Sequence, residues 1–328
     1  LLCDVNGKTR LDMVSNITGQ TYLDILKSTG MPELNHPYRI QYAPMNGYSD
    51  SPFYIFTADG ATRLNKNGFA WKEEYAFKYE VAKQMDLHPQ SMICDQSGMM
   101  RVCVSDGRLY YASNMGIQGL FAAANKESVL VPYVGSNVGA QAFASIYLLY
   151  DDVNKRFMTC CPLLPNFSLS DDTYHTMNEM EAIAVGFQGP DMVTGDAFSE
   201  YPTGMDFVYM ENTYYDPGNA KMGVTYTVLR DGQKYYLYGI QMGDMMPMAD
   251  CTYAIGKAYY GDLSGCKDIN KASCYAFSSL RNYMYYAVCG IVYRVNLSVK
   301  PLKSEKQLAL NGETITMMKF NLYQNGAS

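Results

Sequence analysis

Histidine, tryptophan and charge are scarce in this chain of 328 residues, with 3 His, 1 Trp and 18% charged positions. No apolar run reaches the ~18 residues that a membrane-spanning helix needs, so no membrane span is expected. The net charge is −6, which leaves no basic footprint for nucleic acid. His36, His88 and His175 stand alone, without a second His or a Cys at zinc-ligand spacing, so no metal is expected there. Asp151-Asp152-Val153-Asn154 is acidic, but it lacks the Gly and the bidentate Glu of a calcium loop and reads as a tight turn. The glycine patterns of dinucleotide sites, phosphate loops and nucleophile elbows are missing too, so no cofactor is expected.

What is present is enough apolar residue for a sizeable core, 48% of the chain, and an excess of tyrosine, 30 against 13 Phe. Turn signals are dense. Asp-Gly occurs at 59–60, 106–107 and 231–232, and Asn-Gly at 6–7, 46–47, 67–68, 311–312 and 325–326. Both residue pairs tolerate the positive φ that a type I′ hairpin turn requires. The clearest unit is Met99–Ser113. Met100, Val102 and Val104 alternate with Arg101, Cys103 and Ser105, Asp106-Gly107 turns the chain, and Leu109-Tyr110-Tyr111 returns it.

Comparable units begin at Leu1–Asp4, Phe53–Ala58, Ser145–Tyr150, Thr225–Arg230, Tyr275–Ser278 and Thr314–Leu322. Trp71–Met85 alternates aromatic and charged residues with period two and is expected to be a strand. Phe167–Glu181 is the candidate for a short helix or a long loop. Repeated hairpins that cannot bury both faces alone imply radial stacking. The expected fold is an all-β propeller over 1–328 as a single domain. Its blades would be antiparallel sheets of two to four strands, seven blades in all, or six if the first and last units share one.

Chemistry is harder to read. Asp50, Asp95, Asp206 and Glu211 lie near strand starts, where paired acids of a propeller glycosidase would sit, but the linear sequence pairs none of them, and no catalytic residue is assigned. Nine cysteines make an odd count. Hairpin register sets Cys94 opposite Arg101 and leaves Cys103 on a diagonal too long for most disulfides. Cys160 and Cys161 are neighbours on alternating faces. Cys251 and Cys266, which flank a Gly-rich loop, are the one pairing allowed, and most thiols are expected to be free.

Five adjacent pairs, Tyr110-Tyr111, Tyr214-Tyr215, Tyr235-Tyr236, Tyr259-Tyr260 and Tyr285-Tyr286, each place one ring on either face of a strand. Packing between sheets accounts for most such rings, and stacking on sugars uses the same residue type. The candidate ligand-binding residues are Tyr214, Tyr215, Trp71 and Tyr110.

Three stretches carry a family resemblance: Leu1-Leu2-Cys3-Asp4-Val5-Asn6-Gly7, Phe69-Ala70-Trp71 running into Tyr79-Glu80, and Met100-Arg101-Val102 through Asp106-Gly107-Arg108-Leu109-Tyr110. Together the chain resembles the propeller portion of the PKD-like family lipoproteins of gut Bacteroides and relatives. The resemblance implies an exported protein at the cell surface or in the periplasm. It would be lipid-anchored through a segment absent here, with immunoglobulin-like domains upstream and glycans or outer-membrane uptake proteins as partners. It supplies no catalytic residues. Leu1-Leu2-Cys3 superficially resembles a lipoprotein cleavage site, but Leu2 is not small, and a strand is the expected reading there. The chain therefore reads as a non-catalytic module, a scaffold or ligand-binding surface excised from a longer exported protein. The alternative is a carbohydrate-active hydrolase or lyase on the same fold.

Overall fold

The computed structural model describes residues 1–43, 52–65, 68–94, 100–113, 120–123, 129–136, 147–160, 181–182, 203–215, 223–242 and 255–320. The chain falls into two compact units, Leu1–Ser128 and Val129–Ser328.

In the first unit, β1 (Leu2–Val5) pairs with β2 (Lys8–Leu11), and β3 (Met13–Val14) pairs with β4 (Thr21–Tyr22). A three-stranded sheet follows, β5 (Pro37–Tyr42), β6 (Phe53–Thr57) and β7 (Gly60–Leu64). The next sheet has four strands in sequence order, β8 (Met92–Cys94), β9 (Met100–Ser105), β10 (Arg108–Ser113) and β11 (Ala122–Ala123). The second unit repeats that four-stranded plan three times. Its sheets are β12 (Gly135–Ser136) to β15 (Glu181–Ala182), with β13 (Tyr147–Asp151) and β14 (Arg156–Cys160) between; β16 (Asp206–Thr213), β17 (Val224–Asp231), β18 (Lys234–Met242) and β19 (Ile255–Asp262); and β20 (Cys274–Phe277), β21 (Tyr283–Val288), β22 (Ile291–Asn296) and β23 (Ser304–Ala309). Every named pair is antiparallel, and each strand bonds its sequence neighbour. A four-stranded meander of this kind is a propeller blade. The fold class is therefore all-β, a β-propeller built of blades, as the turn spacing indicated.

Turn chemistry explains the hairpins. Asn6 and Gly7 (φ 55° and 85°) and Asp106 and Gly107 (φ 50° and 74°) occupy the two central positions between Val5 and Lys8 and between Ser105 and Arg108. Both have the positive φ values of the type I′ turn. At 151–156 the turn is held by one carboxylate. Asp151 Oδ1 accepts from the backbone N–H of Val153 at 3.0 Å and Asn154 at 2.9 Å. Its Oδ2 accepts from Asn154 Nδ2 at 2.8 Å and Arg156 Nε at 3.0 Å. Burial pushes the Asp151 carboxyl upward, but these four donors outweigh it and hold its pKa below the ordinary value.

A depressed folded-state pKa contributes stability that is present above the unfolded value and lost as pH falls through the folded one. Asp151→Asn is therefore expected to lower stability at neutral pH and to shrink the further loss on acidification below about pH 4. Urea midpoints across that range test this, and an unchanged acid limb would contradict it.

Within the second unit, the first strands of successive sheets brace one another. β12, β16 and β20 each present an unpaired edge, and side chains fill it. Asn212 Oδ1 accepts from the Ser136 N–H at 2.8 Å and from Thr225 Oγ1 at 2.7 Å. Glu211 Oε2 accepts from the Phe277 N–H at 3.0 Å, and Thr213 Oγ1 donates to the Ser278 carbonyl at 2.7 Å. Aromatic contacts fill the space between sheets, including Phe157 with Tyr238 at 6.1 Å and Tyr226 stacked on Phe277 at 4.6 Å.

Two expectations need correction. Trp71–Met85 is not a strand. It forms short 3₁₀ turns at Glu73–Tyr75, Phe77–Glu80 and Ala82–Gln84, separated by extended Ala76 and Val81. Its backbone bonds are mostly local, with Tyr75 N–H on the Lys72 carbonyl and Tyr79 N–H on the Ala76 carbonyl. The buried residues Phe77, Glu80 and Val81 follow a spacing of three and one, not two. Nor is Thr314–Leu322 a strand over its described part, to Phe320. The fourth strand of the last sheet is Ser304–Ala309, so that sheet is complete without strands from the N-terminal region. Phe167–Asn178 and the rest of the candidate helix up to Met180 lie outside the described residues. Among the described residues no α-helix occurs, and no helix is long and apolar enough to cross a membrane.

Candidate functional site

The tyrosine pairs behave as strand alternation requires. Tyr235 and Tyr259 are buried while Tyr236 and Tyr260 are partly exposed, and Tyr286 is buried beside partly exposed Tyr285. Tyr110 takes the inner position and Tyr111 the outer. Burial raises the pKa of Tyr110, as expected for a ring packed mid-strand opposite Cys103. Trp71 also packs. Its indole N–H donates to Thr62 Oγ1 at 2.9 Å, and the ring lies against the cluster of Leu11, Leu26, Ile55 and Leu64. Tyr214 and Tyr215 follow the end of β16 and are half-buried, with the Tyr215 N–H on Thr213 Oγ1 at 3.2 Å. Of the four candidates, the loop pair retains accessible ring surface together with Trp71, while Tyr110 is 6% exposed.

Partly exposed rings gather instead on one face of β18 and β19. Tyr236 and Tyr260 lie with centroids 6.0 Å apart and planes 15° apart, and Tyr238 meets Tyr260 edge-on at 5.3 Å. The exposed Asp262 is directly opposite Tyr236 in register. Burial, and after it the neighbouring Tyr236 and Asp262, raise the pKa of Tyr260. The adjacent-pair pattern pointed to these rings, but nothing local distinguished them from the other pairs. The pairing of β18 with β19 does that.

Of the candidate acids, Asp206 and Glu211 have structural partners. Asp206 is ion-paired with Arg230 at 2.9 Å and Lys155 at 3.3 Å, and these contacts lower its pKa. Glu211 caps the Phe277 N–H at the edge of β20. Asp50 and Asp95 lie outside the described residues. In the first unit a buried cluster surrounds Glu80. Arg101 Nη1 bonds Glu80 Oε2 and Tyr54 Oη, the latter at 3.0 Å, Tyr54 Oη donates to Glu80 Oε2 at 2.7 Å, and Arg63 Nε lies 3.3 Å from Glu80 Oε1. Arg101 also lies 4.8 Å over the Phe121 ring. Burial disfavours its charge, but Tyr54 and Glu80 beside it outweigh this and raise its pKa. Among the described residues no group of three metal-ligating side chains occurs.

Cys3, Cys94, Cys103, Cys266, Cys274 and Cys289 are free, and Cys94 is opposite Arg101 as the register required. Cys266 thus stands outside the one disulfide allowed from sequence, whose other member, Cys251, lies outside the described residues. Burial pushes the Cys266 and Cys274 thiols up to about 11, which makes them poor nucleophiles at neutral pH. Native protein is expected to react first at exposed Cys289, and denatured, unreduced protein to yield at least five thiols from the six free ones described. A titration finding one thiol or none would refute this.

No family model and no curated protein matches the chain. Similar solved structures include the fission yeast SREBP–SCAP binding domains (TM-score 0.41, 9% identity, 85% of this chain and 62% of that one). A Bacteroides fragilis protein provisionally described as a 6-phosphogluconolactonase gives a TM-score of 0.44 at 9% identity, over 92% of this chain and 81% of that one. The Cps50 (Swd1) β-propeller domain of Myceliophteria thermophila gives 0.35 at 9% identity, over 86% and 90%. The chain thus spans less than two thirds of the yeast structure's length. The blade topology, not these distant likenesses, defines the class: a β-propeller.

Proposed function

We propose that this propeller is a non-catalytic module of an exported protein, with both units in one domain. It would sit at the cell surface or in the periplasm and serve as a scaffold and ligand-binding surface. Its ligand would be a polysaccharide or a partner protein of a nutrient-uptake system, in keeping with the resemblance to PKD-like family lipoproteins. One observation carries the reading: strand-borne tyrosines remain partly exposed, while Asp206 and Glu211, the described acids near strand starts, are held by structural partners. Rings stack on sugar faces and hydroxyls bond hydroxyls, whereas glycoside hydrolysis needs two acids about 5–9.5 Å apart with freedom to move protons. A glycan array on the full chain, run beside a broad hydrolase and lyase screen, tests it. Binding without turnover supports the module, and turnover of any bound glycan would replace it with the hydrolase or lyase reading.

A further inference from the structure

We infer that Tyr236, Tyr260 and Asp262 form a platform for a neutral polysaccharide. Sugar rings would lie on the two tyrosine faces, and Asp262 would accept their hydroxyl hydrogens. The inference rests on the ligand-binding reading above and names its site and ligand class. The two rings stand on neighbouring strands as a stacked pair, with planes only 15° apart and centroids at 6.0 Å. Tyr260 is held in place beneath. Tyr238, 2% exposed, meets it edge-on at 5.3 Å and itself packs on Phe157 at 6.1 Å. From the side, Lys300 Nζ donates to the Tyr260 carbonyl at 2.7 Å. A ring fixed before binding loses little freedom when a ligand arrives.

The polar groups decide the ligand class. Asp262 Oδ1 accepts the Ser264 N–H at 2.8 Å, which orients the carboxylate beside Tyr236. Carboxylates accept well from paired hydroxyls and repel uronates. Lys234 shares the Tyr236 face with Asp231 opposite it in register, Lys300 lies at the Tyr260 carbonyl, and Asp262 is the anion directly across from Tyr236. A purely apolar ligand would offer no hydrogen bond to Asp262 Oδ2 or to the phenol groups, and an acidic one would face Asp262.

Native affinity gels containing dextran, laminarin, mannan, xylan or polygalacturonate test the full chain. At least one neutral polymer is expected to retard it, and polygalacturonate is not. Tyr236→Ala/Tyr260→Ala should weaken that retardation by about tenfold or more. Tyr236→Phe/Tyr260→Phe, which keeps the ring faces and the packing, should retain most of it. Asp262→Asn should raise retention by polygalacturonate. Tyr38→Ala, at an exposed tyrosine of the first unit, should change nothing. If the double Ala variant melts like the parent and binds equally well, the platform is wrong while the binding module stands. Retardation by polygalacturonate alone overturns the neutral class. If none of the five polymers retards the chain, the platform falls and only the partner-protein branch of the proposed function survives.

Discussion

Replacing Arg101 with Met is expected to destabilise the first unit by about 3–5 kcal/mol, the cost of stranding one member of a buried ion pair. Arg101 is 0% exposed and Glu80 1%. Without the guanidinium, Glu80 keeps Arg63 at 3.3 Å and the Tyr54 hydroxyl at 2.7 Å, but its closest cation is gone. Glu80 lies in the 3₁₀ segment Phe77–Glu80, Tyr54 in β6 and Arg101 in β9. The loss should therefore loosen the 3₁₀ segment from both sheets rather than unfold one hairpin. Arg101→Met combined with Glu80→Met is expected to cost less than the sum of the two single changes, because the buried pair is removed together, while Arg63, 15% exposed, loses its carboxylate in both variants that lack Glu80. Urea denaturation of the four proteins measures this. A single Met variant as stable as the parent would show that the cluster contributes nothing.

Gly290→Ala is expected to have the second largest effect. Gly290 follows Cys289 (φ 52°) in the turn between β21 and β22. The segment after β23 folds back onto this turn, with the Leu310 N–H on the Gly290 carbonyl at 2.8 Å and the Ile315 N–H on the Cys289 carbonyl at 2.9 Å. A methyl on Gly290 would run into the Leu310 carbonyl oxygen and lie 2.7 Å from that of Glu313. Both obstacles are backbone, so the returning segment must move. Overpacking of this kind costs about 1–3 kcal/mol or more. The Ile315 carbonyl, which accepts from Ser273 Oγ at 2.6 Å and lies 3.7 Å from Cys274 Sγ, would leave with it. Cys274 should then become reactive to thiol reagents in the native protein. A variant with the parent's melting temperature and an unreactive Cys274 would refute the argument.

Hairpins were legible because their causes are local. Asp106-Gly107 and Asn6-Gly7 adopt positive φ in the turns expected of them, and the register that follows placed Cys94 opposite Arg101. Alternation in Met100–Ser105 was equally readable, yet all six residues are buried. A pattern of period two says which side chains share a face, and says nothing about what covers that face. Trp71–Met85 misled for a related reason. Its aromatics do alternate with charges, but it meets its neighbours only through isolated bridges, Ala76 to Thr62 and Val81 to Phe121, and local 3₁₀ bonds satisfy much of the rest of its backbone.

The candidate site divides the same way. Sequence alone determined that adjacent tyrosines would split between inside and outside, because strand geometry sends successive side chains to opposite faces. Which outer rings meet was decided by the pairing of β18 with β19, which brings Tyr236 to Tyr260 and Asp262 across 24 and 26 positions of chain. The partners of Arg101 were decided likewise, with Glu80 21 residues away and Tyr54 47 away on another sheet. Turn propensity and alternation are set by neighbours along the chain, whereas ion pairs and ring pairs depend on how sheets come together, and no short stretch of residues carries that information.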